Sequence, residues 1–189
     1  MDRRIIIPIG LLIGVLLSGK DAAASVVKSV ISGKYPTGSD FTKYDALFQK
    51  YGTMFGVPWK WLKAVCMSES MLGTNPRVAL GLREPLNKAS VSYDNLSWGL
   101  MQLRVETARD FEKNTTYADL NNAETSIRLA AKFFAWIMKQ FSTVDVDFQK
   151  KVIMSYNQGV GGTKKGYTGA LPYWEKFQKH TAVINERQP

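Results

Sequence analysis

From Phe41 onward, apolar side chains return at every third or fourth position, and no stretch alternates apolar and polar residues over a convincing strand length. That period belongs to α-helices with one buried face, so the chain is expected to build a helix-rich globule. Phe41, Tyr44, Leu47, Phe48 and Tyr51 make the first stripe, which Gly52 and then Gly56-Val57-Pro58 are expected to interrupt. A second helix is predicted from Pro58, a residue suited to a first helical position, to about Ser70, before Gly73 and Asn75-Pro76. Further helices are predicted over 104–113, 123–141, 146–158 and 171–186, with Asn122 capping the second of these. Residues 74–98 are polar and carry Pro76 and Pro85, so a small hairpin or an ordered irregular region is expected there.

With 189 residues, 45% of them hydrophobic and 22% charged, the chain can bury a core as one compact domain plus an accessory segment. The 25 Lys and Arg against 16 Asp and Glu give a net charge of +9, which favours anionic partners: nucleic acid, anionic lipid or acidic envelope polymers. The basic residues are scattered, with short clusters at Lys150-Lys151 and Lys164-Lys165, which argues against a dedicated nucleic-acid role. A single cysteine, Cys66, rules out an internal disulfide, so stability must come from packing. The lone His180 removes any multi-histidine metal site, and no metal or cofactor is expected. Cys66 falls on an apolar stripe, where a thiol is inert, so a Cys66–His180 nucleophile pair is discounted.

Residues 1–24 carry a targeting pattern. Arg3-Arg4 precede an uncharged run from Ile5 to Gly19, and Ala22-Ala23-Ala24 come after it. The run is shorter than the roughly 20 residues of a spanning helix, so it reads as a cleavable signal or, if retained, a short anchor in the inner membrane. Either way the arginines stay cytoplasmic, and the rest is expected to be exported, either periplasmic or anchored and facing the periplasm. Residues 25–40 read as a linker and 41–189 as the folded domain.

Glu69 is the residue of greatest chemical interest. Leu62, Val65 and Cys66 stand seven, four and three positions before it, so helical geometry puts the carboxyl on a buried stripe. Desolvation disfavours the charged form of a carboxyl, and such a group can deliver a proton to a glycosidic oxygen near neutral pH. The bland alternative is a structural Glu at a helix end.

Three motifs decide between the two. Ala64-Val65-Cys66-Met67-Ser68-Glu69-Ser70 resembles the Glu-Ser motif of the lytic transglycosylases, and Gly99-Leu100-Met101-Gln102 matches their Gly-Leu-Met-Gln motif. Ser155-Tyr156-Asn157-Gln158-Gly159 is similar to their Ala-Tyr-Asn-Ala-Gly motif, departing at Ser155 and Gln158. The resemblance spans roughly residues 41–180 and implies a mainly α, lysozyme-like fold. It also implies cleavage of the peptidoglycan β-1,4 bond between N-acetylmuramic acid and N-acetylglucosamine, with Glu69 as acid and then base and a 1,6-anhydro product.

Asp94, shortly before Gly99, also gives a similarity to goose-type lysozyme, in which a loop Asp helps a water attack. A second carboxylate would turn the outcome to hydrolysis; the alternative for Asp94 is a solvated turn residue. A non-catalytic wall-binding assembly protein is the reading from another class. By the same resemblance Ser70, Gly99, Met101, Gln102, Tyr156 and Asn157 bind or border the glycan. Gly99 would admit the sugar closely, Met101 would line the cleft, and the Tyr156 hydroxyl would hold the acid. Of Trp59, Trp61, Trp98, Trp136 and Trp174, most read as core, and Trp98 is the best candidate for a cleft wall. Small exported enzymes of this kind open the wall for secretion or conjugation machinery, or serve a phage, in which case the protein is virion-associated.

Overall fold

The segment from Leu62 to Ser68 is helical and buried at every position, so other elements must surround it on all sides. In the computed structural model, which describes residues 35–75 and 96–189, that helix is the axis of a compact unit running from Pro36 to Pro189. The unit begins slightly ahead of the expected boundary at residue 41. The targeting segment, most of the linker and Asp94 lie outside the described residues.

Helices α1 (Ser39–Thr42), α2 (Asp45–Phe55) and α3 (Trp59–Ser70) come first. Then β1 (Ser97–Trp98) pairs antiparallel with β2 (Leu103–Arg104), Ser97 opposite Arg104 and Trp98 opposite Leu103. Helices α4 (Val105–Arg109), α5 (Tyr117–Leu120), α6 (Ala123–Met138), α7 (Phe148–Gln158), α8 (Val160–Lys164) and α9 (Leu171–Arg187) complete the described chain. α3 packs mainly on α9 and α2, α6 covers α2, and α7 lies against both α6 and α9. The mainly α expectation holds, and among the described residues the short β1–β2 ribbon is the sheet.

Several boundaries differ from the sequence reading for identifiable reasons. Gly52 does not break α2 but lies inside it; a side chain there would approach Val57 O to 2.7 Å, so the glycine lets the α2–α3 corner close. The helix ends instead at Gly56, which takes the left-handed conformation (φ 68°) favoured for a C-terminal cap. Pro58 is the cap rather than the first helical residue of α3. Asn122 caps α6 as expected, its side chain accepting from Thr125 N at 3.0 Å. α5, which the periodicity did not reveal, starts at a reciprocal Thr116–Asp119 capping box.

Lys63 and His180 carry ionisable groups into the core. Lys63, fully buried in α3, pairs with Asp45 at 2.7 Å, donates to Gln188 Oε1 at 2.7 Å and lies 3.9 Å from the centre of the Phe41 ring. Burial lowers its pKa while Asp45 opposes that shift, as expected for an ammonium that must be paired to be tolerated. His180 of α9 is 3% exposed, and burial pushes its pKa from 6.5 down to about 4, with Lys176 and Lys179 adding to the shift.

That depression predicts an acid-side loss of stability. Between those two pH values the unfolded chain takes up a proton on His180 that the folded protein refuses. The contribution is therefore intact above about pH 6.5 and is lost towards pH 4, by about 3 kcal/mol in the limit. Thermal midpoints measured from pH 7 to 4 are expected to fall less steeply in His180→Gln than in the wild type. Identical pH profiles would remove His180 as the cause.

Candidate active site

Glu69 occupies the last turn of α3, and the backbone just beyond that helix fixes its direction. Met71 (φ 52°), Leu72 (φ 56°) and Gly73 (φ 80°) are all left-handed, a run that forces the chain sharply away from the helix axis. Ser70 holds this turn. Its hydroxyl donates to Cys66 O at 3.2 Å and accepts from Gly73 N at 3.1 Å, while its carbonyl accepts from Gly73 N and Asn75 N. Lys176 of α9 donates to Ser68 O at 2.5 Å, placing a cation where the exposed carbonyls of a helix end favour one.

The half-buried Glu69 faces a cleft of about 350 Å³. One wall comes from the ribbon and the start of α4, through Ser97, Gln102, Leu103, Arg104 and Thr107. The other comes from the end of α7, residues 155–159, with Phe133 of α6 between them. Glu69 is the one carboxyl among the described residues lining this space. Its Oε1 accepts a 2.7 Å hydrogen bond from the hydroxyl of Tyr173, in the first turn of α9. Burial, with the Glu69 charge beside it, pushes the Tyr173 hydroxyl well above the ordinary tyrosine range, so it remains a donor at all ordinary pH values.

Two polar groups of the cleft lack partners among the described residues. Gln102, left-handed at φ 47°, donates through Nε2 to Gly99 O at 2.8 Å and leaves Oε1 without a hydrogen bond. The Ser155 hydroxyl is likewise buried and unmatched.

A family model described as the transglycosylase SLT domain matches residues 46–177, a span containing all three motifs and Tyr173. The chain belongs to this family. The search of curated proteins returned no match. Membership makes peptidoglycan the substrate and lytic transglycosylase the enzyme type at the level of the family.

Within the SLT domain, the predicted residues divide into two groups. Glu69, Gln102, Tyr156 and Asn157 meet in the cleft. Ser70, Trp98, Gly99 and Met101 turn away from it. Ser70 is fully buried in the turn just described. Trp98, 7% exposed, packs with Leu103, Val105, Ala108, Leu120 and Leu129, and its ring lies 5.1 Å from that of Tyr117, so it is a core residue rather than a wall. Met101 is fully buried; its N–H donates to Ser126 Oγ and its carbonyl accepts from the Tyr156 hydroxyl at 2.7 Å. A side chain at Gly99 would lie 1.8 Å from Leu120 O, so its glycine serves internal packing and not the approach of a sugar.

Tyr156 therefore steadies the ribbon, with its ring stacked on Phe134 at 4.7 Å, and Tyr173 holds the acid in its place. Sequence reasoning missed Tyr173 because it lies 104 positions from Glu69; its place at the start of a predicted helix was the one available signal. Cys66, fully buried with its thiol pushed up to about 12 mainly by that burial, is the inert core residue the stripe implied.

The Tyr173–Glu69 bond carries a kinetic expectation. Misplacing a catalytic group by about 1 Å can cost roughly a hundredfold, so Tyr173→Phe is expected to slow muropeptide release roughly ten- to hundredfold with little change in sacculus binding. A rate within twofold of the wild type at saturating sacculi would remove Tyr173 from the working site.

Proposed function

We propose that this SLT domain cleaves the β-1,4 bond between N-acetylmuramic acid and N-acetylglucosamine and leaves a 1,6-anhydro end. The reading is carried by one observation: the carboxyl of Glu69 faces the cleft while Tyr173 holds one of its oxygens. Glu69 gives its proton to the glycosidic oxygen as the bond to C1 breaks. The resulting carboxylate then takes the proton of the muramic acid 6-hydroxyl, whose oxygen closes on C1. One carboxyl performs both transfers, and no water is consumed. Asn157 offers a donor and an acceptor to the sugar substituents, and the +9 charge draws the protein to an anionic wall.

The targeting pattern of residues 1–24 supports export, as a processed periplasmic protein or one anchored through residues 5–19. A small exported enzyme of this kind opens the wall locally for a phage or for an envelope-spanning machine. Digesting purified sacculi and identifying the soluble products by mass tests the chemistry. Anhydro ends are expected. Reducing ends would replace this reading with hydrolysis and give Asp94 the role of activating water, and no released muropeptide would leave a wall-binding protein.

A further inference from the structure

The aromatic surface of the cleft continues past its rim. Tyr156 and Phe133 both line the cleft, with ring centroids 5.5 Å apart. Phe133 in turn lies 5.9 Å from Trp136, the two planes within 17° of parallel, one turn further along α6. Trp136 is 44% exposed, whereas the other four tryptophans are buried or half-buried. A large ring left in water, yet joined by stacking to the wall of a cleft, suggests that something covers it when the cleft is filled.

We infer that Trp136 is a saccharide-stacking subsite for the glycan strand where it leaves the cleft, an inference that rests on the glycan-cleaving reading above. Size is the first reason. About 350 Å³ lies at the low end for a site holding one small molecule, so a polymer threaded through it must run on across the surface. Chemistry is the second. A pyranose ring presents an apolar C–H face to an aromatic π face while its equatorial hydroxyls stay in water, which suits an exposed indole.

The surroundings favour sugar over protein. At helical spacing the neighbours of Trp136 are Lys132, Phe133, Lys139 and Gln140. One aromatic step among polar groups offers too little apolar area for a stable protein interface, which needs about 800 Å² from each partner.

The test uses Glu69→Gln, so that glycan is bound without being consumed, and compares it with Glu69→Gln/Trp136→Ala and Glu69→Gln/Trp136→Phe. Binding is measured by calorimetry on β-1,4 N-acetylglucosamine oligomers of two to eight units and by co-sedimentation with sacculi. The short oligomers are expected to bind all three alike. The long oligomers and sacculi are expected to bind the Ala variant about five- to tenfold more weakly, with Phe restoring most of the loss.

Equal affinities at every length, with matching thermal midpoints, would overturn the subsite and leave the cleavage reading standing. No binding at any length by the Trp136-containing parent would overturn both. A parent that self-associates in gel filtration and is dispersed by Trp136→Ala would reassign the indole to contacts between copies.

Discussion

Replacing Glu69 by Gln is expected to lower muropeptide release by roughly 10²- to 10⁴-fold, the range in which a positioned proton donor contributes. The amide matches the carboxyl in shape, and its oxygen can still accept the hydroxyl of Tyr173, so the last turn of α3 keeps its geometry. The losses are the proton that the leaving oxygen requires and the carboxylate that later removes one from the 6-hydroxyl. A thermal midpoint within about 2 °C of the wild type should accompany the loss, separating chemistry from folding. A variant keeping more than a tenth of the wild-type rate would mean that another group donates the proton.

The second large effect concerns stability. In Gly99→Ala the added methyl would lie 1.8 Å from Leu120 O and 2.9 Å from Ser126 Oγ, at a φ of 70° that side chains rarely adopt. Neither the backbone carbonyl nor the buried serine, which holds Met101 N, can yield cheaply. Overpacking and left-handed strain together cost about 3 kcal/mol or more, or roughly 6–12 °C in the thermal midpoint of a domain this size. Gly166→Ala is the control, since Gly166 has a similar φ of 75° and nothing within 4 Å. A Gly99→Ala midpoint no lower than that control would refute the packing role assigned to this glycine.

Both expectations show what the sequence made legible. The helical period located α3, α6, α7 and α9 closely, because each buries a wide apolar face and tertiary packing reinforced the local preference. The motif order brought the right stretches of backbone together around Glu69. Which side chains of those stretches face the cleft was not legible, because spacing fixes proximity and not direction. The left-handed backbone at Gln102 sends Met101 inward and its neighbour to the cleft, and no period announces such a reversal. Tyr173 illustrates the other limit: a hydroxyl reaching across from a helix far along the chain leaves no local trace. Gly52 reads as a helix breaker and Gly99 as room for a sugar, yet both are places where another part of the chain comes too close for a β-carbon.

The left-handed run at Met71, Leu72 and Gly73 has an implication for how such a protein can be altered. Its hydrogen bonds close back onto Ser70 and Met71 before Asn75 is passed, and Leu72 is tucked in at 3% exposure. The proton donor is thus moored by the turn itself and by Tyr173 and Lys176 of α9. Loosening that turn would let the acid drift from the Tyr173 hydroxyl while the ribbon and the end of α7 stayed where they are, so cutting can be weakened without remaking the walls that receive the strand.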